Sequence, residues 1–281
     1  YNAGVWYNRR GLNWNTSIIK LGGNYITDVG FTPRLYNYDA VNDIVVREGY
    51  LQTSSGIEYE KFYEKSKTLN SVRYLNYGVN NYFDESGRLL QSQNFLNSAV
   101  FFKDLSAVYY VVNYDYVDLK YSFDPLGNGN ALSPGIYKFG ILKLGYNSAN
   151  NQKLRYRFNV QKGTYYGGKR TTAGAYLNYQ LLPFANLEMS YDVNKIDLND
   201  LGKETFHLTR FTGEVFFNNR LNWTTYVQYN TQINNFNVNS RLQWEYKPLS
   251  YIYLVVSDNY NQQFQRQNWG VAFKMNYRFD I

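Results

Sequence analysis

The chain lacks three features that would place it in common protein classes. Its 281 residues include no cysteine, which excludes disulfide scaffolds and thiolate metal sites and fits an oxidising compartment. It has one histidine, His207, and therefore no histidine cluster for metal ligation. No stretch reaches the roughly 20 consecutive apolar residues of a membrane-spanning helix. The absence of such a stretch does not exclude a membrane protein whose membrane-spanning segments are β-strands.

Charge of one sign is also not concentrated. The formal net charge is +7, but Lys and Arg are spread along the chain and no recognised nucleic-acid motif is present. We therefore expect no nucleic-acid partner, and contact with an anionic lipid surface explains the basic balance. We likewise expect no cofactor.

Aromatic residues are abundant. They make up 19% of a chain that is only 44% hydrophobic, with 31 Tyr, 18 Phe and 5 Trp. Soluble cores draw mainly on aliphatic residues, whereas outer-membrane barrels combine a polar lumen with an apolar band and aromatic girdles.

The last stretch of the chain shows how the apolar residues are arranged. From Val271 to Ile281, apolar or aromatic residues occupy every odd position and small or polar residues every even position. Segment 236–246 alternates in the same way. Successive side chains of a strand point to opposite faces, so both segments predict strands with one apolar and one polar face. A soluble β-sandwich shows the same alternation.

Fifteen such segments follow one another, and tight turn-forming clusters separate many of them. The pattern predicts an antiparallel meander with strands near 2–8, 13–24, 53–66, 70–84, 88–102, 106–123, 135–147, 152–163, 171–181, 186–197, 205–217, 221–232, 236–246, 250–258 and 268–280.

Connection length predicts sidedness. With a periplasmic C-terminus, the longer connections fall outside the cell and the shorter ones inside, as barrels require. Gly30–Gly49 is then the longest outer loop, and Ala40, Val41, Ile44 and Val45 predict one or two amphipathic helical turns there.

Strand parity predicts further strands. Bacterial single-chain barrels have an even number of strands, so we expect about 16, within a range of 14–18, with 15 in this chain and at least one upstream. The chain begins at Tyr1 without an initiator Met or signal peptide. We therefore expect residues 1–281 to be the C-terminal barrel of a longer exported protein.

Candidate catalytic and ligand motifs are weak. His207 has no recognisable nucleophile or orienting partner, and the loop Asp124–Asn130 lacks the closing Glu of a calcium loop. Gly167 and Gly168 predict a hairpin turn with positive φ rather than a phosphate cradle, because no helix follows. Glu58, Glu60 and Glu64 lie among lysines and are interpreted as solvated lumen charge. We expect a protein that is not an enzyme.

The polar faces carry a stronger signal than any motif. Charged residues of both signs on these faces predict a hydrated lumen wall without strong ion preference. They are Arg155, Arg157, Glu188, Asp192, Arg241, Glu245, Lys274, Arg278 and Asp280. Most aromatic residues map to the opposite faces, so we expect no aromatic track along the lumen.

The terminal residues also resemble an assembly signal. Tyr277, Phe279 and Ile281 resemble the C-terminal aromatic signal that the barrel-assembly machinery reads, although Ile281 stands where Phe is usual.

Several blocks resemble the outer-membrane family catalogued as domain of unknown function 5916. They are Pro134–Tyr137, Gly163–Gly168, Thr209–Phe211, Val227–Asn230, Asn239–Pro248 and, upstream, Gly30–Arg34. The resemblance implies a barrel, and a carbohydrate-related context through an N-terminal domain similar to carbohydrate-binding family 9 that would lie outside this sequence. It implies no catalytic residues.

The sequence thus predicts an all-β, transmembrane antiparallel up-and-down β-barrel of the Gram-negative outer membrane. We expect it to act as a porin-like channel, or as the membrane anchor or subunit of an envelope complex. Outer-membrane lipid, lipopolysaccharide, the barrel-assembly machinery and other envelope proteins are the expected partners. The alternatives are a secreted β-sandwich carbohydrate-binding module and, last, a barrel hydrolase.

Overall fold

The computed structural model describes residues 1–26, 32 and 34–279 of the chain. Strands account for 71% of the protein, and the described residues contain no α-helix, only the 3-10 turn Asn199–Leu201. The strands are β1 Asn2–Arg9, β2 Leu12–Leu21, β3 Tyr36–Asp39, β4 Ile44–Arg47, β5 Tyr50–Phe62, β6 Leu69–Phe83, β7 Leu89–Phe102, β8 Ala107–Leu119, β9 Gly135–Asn147, β10 Leu154–Tyr165, β11 Gly168–Leu181, β12 Ala185–Asp197, β13 Lys203–Phe216, β14 Leu221–Asn230, β15 Asn235–Lys247, β16 Ser250–Tyr260 and β17 Arg266–Met275.

Fifteen of these strands form one antiparallel sheet in chain order, from β1 through β2, β5 and onward to β17. Each corresponds to one of the fifteen strands predicted from the alternation, so the all-β class and the up-and-down order are confirmed. β1 and β17 are the two end strands of the sheet, and the described residues show no pairing between them.

The predicted helical turns near 40–45 are wrong. Residues 36–47 form a two-stranded hairpin, β3–β4, in which Tyr36 pairs with Arg47 and Asp39 with Ile44. The Asp39 carboxylate accepts a hydrogen bond from the Val41 backbone N–H at 3.1 Å, which closes a turn instead of starting a helix. The run of β-branched residues after the turn favours a strand. Gly30, the first residue of the predicted loop, lies outside the described residues.

The long and the short connections lie at opposite edges of the sheet. In an up-and-down sheet every second connection lies at the same edge. One edge carries the two longest, 22–49 and 120–134, and we call it the long-connection edge. No connection at the opposite edge, which we call the short-connection edge, is longer than 63–68 or 148–153.

The strands have two chemically distinct faces. In β8, Val108, Tyr110, Val112 and Tyr114 are 39–50% exposed and alternate with less exposed residues such as Asn113. Because strand side chains alternate, the large apolar groups of successive strands collect on one face. That face is exposed along the strands, and the other is rich in amides, hydroxyls and charges.

The chain divides into two compact units. The first contains Tyr1–Tyr146, Val160–Thr171 and Lys195–Glu204. Its most buried apolar side chains lie in or beside the long connections: Leu35, Leu126, Leu132, Ile196 and Leu198 are all at most 4% exposed. This unit has a small hydrophobic core at the long-connection edge.

The second unit contains Asn147–Asn159, Thr172–Asn194 and Thr205–Ile281. Its most buried side chains are polar: Asn178 is 0% and Ser250 is 1% exposed. Buried polar groups cost free energy unless they are hydrogen-bonded, so hydrogen bonding organises the interior of this unit.

Candidate pore lining and loop cluster

Asn178 is the centre of a polar network in the second unit. The Arg155 guanidinium Nε donates to Asn178 Oδ1 at 2.9 Å, and Asn178 Nδ2 donates to Asn186 Oδ1 at 2.7 Å and to Glu188 Oε1 at 3.3 Å. Asn186 Nδ2 in turn donates to Glu214 Oε2 at 3.1 Å. The predicted lumen residues Arg155 and Glu188 are therefore brought together through a buried amide rather than by direct contact.

Two further predicted lining residues lie on neighbouring strands of this unit. The Arg157 guanidinium lies 4.1 Å from the centroid of the Tyr176 ring. Asp192 lies beside Gly174, where an added Cβ would be 2.6 Å from Asp192 Oδ1 and 2.8 Å from Asn159 Nδ2. Gly174 thus leaves space for a carboxylate and an amide on the polar face.

The predicted lining residues of β15–β17 do not join that network. Arg241 lies opposite Thr224 in β14 and Val255 in β16, and Lys274 lies opposite Tyr253. Glu245 accepts a hydrogen bond from the Leu249 backbone N–H at 2.9 Å. None of these three charged residues forms an ion pair with another described residue.

The predicted terminal residues are only partly described. The Arg278 backbone N–H donates to Ser250 Oγ at 3.0 Å. The rings of Tyr277 and Phe279 meet edge to face at 4.6 Å, and Phe279 is 78% exposed. Asp280 and Ile281 lie outside the described residues.

Tyrosines on the polar face were missed by the sequence analysis. Tyr226 lies opposite Asn239. The rings of Tyr251 and Tyr253 are tilted by 30° with centroids 5.9 Å apart, and Tyr253 lies opposite Lys274 on the same face. The register was the missing information, since Tyr226 breaks the simple alternation of its segment.

An amide-rich groove lines the polar face of β1, β2, β5 and β6 in the first unit. The groove has a volume of about 320 Å³ and is lined by Asn13, Asn15, Ser54, Gly56, Asn76 and Asn80, among others. Phe95 lies over Gly78, where an added Cβ would be 2.4 Å from the ring. Neutral hydrogen-bonding groups thus dominate this wall.

The carboxylates Glu58 and Glu60 are ion-paired. Arg73 Nε lies 2.9 Å from Glu58 and Arg73 Nη2 lies 3.4 Å from Glu60, while Glu64 pairs with Arg10. A glycosidase needs two carboxyl groups with separate acid and base roles, and one arginine shared by two carboxylates does not provide them.

A cluster of loop residues, which we call the loop cluster, connects the β3–β4 hairpin to the 120–134 connection in the first unit. The Ala40 N–H donates to the Ser122 carbonyl at 3.0 Å, and Lys120 Nζ donates to both Glu48 oxygens at 2.8 and 2.9 Å. The Tyr121 hydroxyl donates to Glu48 Oε1 at 2.8 Å. Burial, and then this bond to Glu48, raises the pKa of Tyr121 to about 12.

Two aspartates organise the neighbouring turn. Arg88 donates from Nε and Nη2 to the two oxygens of Asp118 at 2.5 and 2.7 Å, a bidentate pair with a nearly buried carboxylate. Asp84 accepts hydrogen bonds from Ser86 and from the Arg88 backbone N–H, and the Ser86 hydroxyl is the main cause of its lowered pKa.

The Asp124 loop is held by its own backbone. The Asp124 carboxylate accepts hydrogen bonds from the N–H groups of Leu126, Gly127 and Gly129 at 2.8–3.0 Å, so both of its oxygens are already engaged. Over the described ranges, no group of three or more His, Cys, Asp or Glu residues is placed to hold a metal ion.

His207 contacts a tyrosine. Its Nδ1 lies 2.8 Å from the Tyr191 hydroxyl, and the two rings are stacked at 6.1 Å. Tyr191 is 39% exposed on the apolar face.

The Gly167–Gly168 segment adopts the predicted turn. Tyr166 and Gly167 have φ of 44° and 83° and form the two-residue connection between β10 and β11. Positive φ at both central residues is the signature of a tight hairpin. The hairpin and the positive φ of Gly167 are confirmed, but the second residue with positive φ is Tyr166; Gly168, predicted for that role, is the first residue of β11.

Comparison with known proteins adds no identity. None of the available models of protein families matches the chain, and no curated protein is significantly similar to it. Among the residues described, no helix has the length and apolar character that a bilayer-crossing helix requires.

Proposed function

We propose that the chain is a transmembrane β-barrel of the Gram-negative outer membrane that encloses a narrow polar pore, with its C-terminus in the periplasm. The exposed apolar face of a fifteen-stranded up-and-down sheet carries this proposal. In water, a surface of this size and character would associate, whereas lipid solvates it.

The exposed apolar side chains argue against the sandwich alternative. A β-sandwich buries its large apolar residues between two sheets. Here Trp223, Leu242, Trp244 and Leu254, on three adjacent strands, are 39–47% exposed. Lipid contact explains why these side chains lie on one face of one sheet.

The polar face supplies the proposed pore lining. It carries charges of both signs: those around Asn178 are linked through a buried amide, whereas Arg241, Glu245 and Lys274 form no ion pair with another described residue. Such a wall is hydrated without favouring either ion sign. The resemblance to the family of unknown function 5916 stays a hypothesis, and a carbohydrate context follows from that resemblance alone.

The loop cluster favours a narrow rather than a wide pore. In the first unit, hydrogen bonds link Ala40 and Glu48 to residues 120–122 at the long-connection edge, which would narrow the proposed pore there. A permanently covered mouth would suit the second proposed role, an anchor within an envelope complex.

Two measurements test the proposal together. Cell fractionation should place the protein in the outer membrane and extraction should require detergent; a monodisperse protein without detergent would contradict the barrel. Planar-bilayer recordings should show small, weakly ion-selective currents that increase when residues 36–47 are replaced by a short Gly-Ser linker. A fully assembled protein without current in either form would leave the anchor role in place of the pore.

A further inference from the structure

Arg34 is a half-buried cation beside the loop cluster, and it has no anionic partner among the described residues. Its guanidinium lies 3.7 Å from the centroid of the Tyr82 ring. None of the ion pairs formed between described residues includes it. A partly desolvated guanidinium is stabilised only in part by an aromatic face, so the site retains an unsatisfied attraction for an anion.

The backbone holds Arg34 in this position. Arg34 has φ of 66°, a left-handed conformation that is unfavourable for a residue with a Cβ. The next residue, Leu35, is 1% exposed, and its carbonyl accepts a hydrogen bond from the Glu48 N–H at 3.0 Å. Packing of Leu35 thus fixes the chain on which Arg34 is presented.

Arg34 lines a cavity of ligand size. This cavity has a volume of about 440 Å³ and is lined by Arg34, Tyr36, Asn37, Tyr38, Gln91 and Tyr166, among others. Its volume lies within the range of small-molecule sites in proteins. Tyr36 and Tyr38 are 50% and 55% exposed. The Arg47 guanidinium lies 5.2 Å from the centroid of the Tyr36 ring, and the exposed part of both side chains is available to a ligand.

The acidic residues that line the cavity are already neutralised. Glu48 is bonded by Lys120 and Tyr121, and Asp118 by Arg88. The one full charge of the lining that lacks a described counter-ion is therefore positive. A cationic ligand has no free carboxylate to meet, and a carboxylate ligand can meet Arg34 through two parallel hydrogen bonds.

The remaining groups define the body of the ligand. Burial raises the pKa of Tyr166 to about 12, so its hydroxyl stays protonated and can donate at neutral pH. Asn37 and Gln91 add amide donors and acceptors. Exposed tyrosine faces suit the C–H faces of a saturated ring, and the amides and hydroxyls suit ring hydroxyl groups.

We propose that this cavity binds an acidic sugar ring, with Arg34 holding its carboxylate and the tyrosines contacting the ring. The site lies at the edge of the sheet that carries the long connections. It goes beyond the proposed pore, because binding there requires no conduction.

Calorimetric titration of the detergent-solubilised protein tests the site, with glucuronate as the probe, glucose as its neutral counterpart and benzoate as a flat carboxylate without hydroxyls. We expect glucuronate to bind at least tenfold more tightly than either. Arg34→Gln should weaken glucuronate binding at least tenfold, and Arg9→Gln, which removes an exposed arginine of β1, should leave it unchanged.

Three outcomes overturn the proposal. Equal binding of glucose and glucuronate, or unchanged binding in Arg34→Gln, removes the role of the guanidinium. Equal binding of benzoate removes the sugar ring as ligand class. Tyr38→Ala is a second variant, used in case Arg34→Gln does not fold. It keeps the Arg34 charge, so we expect weaker binding of glucuronate and unchanged binding of acetate.

Discussion

Asn178 in β11 links charged residues on the two neighbouring strands, Arg155 in β10 and Glu188 in β12, although it carries no charge itself. The side chain is completely buried and satisfies an arginine, an amide and a carboxylate at once. Removal of a buried hydrogen-bonding group leaves its partners unsatisfied, which costs about 1–3 kcal/mol for each neutral group and more for a charge. Much of the order of this polar wall should depend on one amide.

Asn178→Ala is therefore expected to lower the free energy of unfolding by about 2–4 kcal/mol. Urea unfolding of the refolded protein in micelles, followed by tryptophan fluorescence, measures the change. Asn150→Ala, the same substitution in the exposed 148–153 connection, is the matched control and should cost less than about 0.5 kcal/mol. Equal effects of the two substitutions would show that the network does not stabilise the fold.

Tyr121 provides a pH-dependent readout of the loop cluster. Its pKa of about 12 in the folded protein exceeds the value of about 10 of an unfolded tyrosine. The folded state therefore holds this proton more tightly. The stabilisation is complete below about pH 10 and is lost as the pH rises towards 12.

The difference in absorbance at 295 nm between the wild type and Tyr121→Phe should show one tyrosine that ionises near pH 12. In the Glu48→Gln background the same difference titration should move to lower pH, because the acceptor carboxylate is gone. A midpoint near pH 10 in the wild-type background would mean that the Tyr121–Glu48 contact does not form in solution.

At the scale of elements, glycine and aromatic residues pair across neighbouring strands. Gly78 in β6 lies directly opposite Phe95 in β7, and the ring occupies the space that a Cβ would take. A side chain at position 78 must displace the ring, and overpacking of this kind costs about 1–3 kcal/mol.

A double-mutant cycle isolates that contact. Gly78→Ala should destabilise the wild type by about 1–3 kcal/mol but be nearly neutral in Phe95→Ala, where the ring is absent. The measurement is again urea unfolding in micelles. Gly270→Ala, at a position with open space around the added Cβ, serves as control. Equal costs of Gly78→Ala in both backgrounds would contradict the packing of Phe95 on Gly78.

We expect the C-terminal segment that contains Phe279 to affect the rate of assembly rather than the stability of the folded protein. Phe279 is mostly exposed, so Phe279→Ala should change the free energy of unfolding by less than about 0.5 kcal/mol. If the segment is an assembly signal, the same variant should accumulate several-fold less folded protein in the outer membrane of cells. Phe217→Ala, another exposed phenylalanine, should assemble normally; a normal yield of Phe279→Ala would contradict a signal at this residue.

The alternation of apolar and polar residues was sufficient to predict the strands of the sheet but not the structure of the loops. A period of two depends only on which face each residue occupies, so strands such as β15 could be predicted residue by residue. The β3–β4 hairpin was mistaken for helical turns because Val41, Ile44 and Val45 fit a helical spacing as well. Asp39 and the contact of Ala40 with Ser122 decide the outcome, and that contact joins residues distant in sequence.

For the candidate sites, the sequence predicted the face on which a residue lies but not the residues that it contacts. Alternation placed Arg155, Arg157, Glu188 and Asp192 on polar faces, but only the strand register shows that Asn178 links two of them. Arg34 belongs to a block that had been noted for its family resemblance alone. Its importance comes from Tyr82 and Tyr166, which approach it through the fold.

At the scale of the whole molecule, the connections divide the chain into two chemical environments. The long-connection edge carries the hydrophobic core of the first unit and the loop cluster, whereas the short-connection edge has compact turns. A barrel inserted from the periplasm must pass one set of connections through the membrane. The asymmetry in connection length therefore predicts an orientation that holds for every strand at once.

Single-cysteine labelling tests this orientation without background, because the chain contains no cysteine. Gln263→Cys changes a residue of the 261–265 connection, and Asn219→Cys changes a residue of the 217–220 connection. Both residues are exposed, and the two connections lie at opposite edges of the sheet. In intact cells a membrane-impermeant maleimide should label Gln263→Cys, and it should label Asn219→Cys only after the outer membrane is permeabilised. Labelling of Asn219→Cys alone would reverse the orientation. Equal labelling of both in intact cells would contradict a membrane-spanning sheet, since strands that cross a bilayer must separate their two sets of connections.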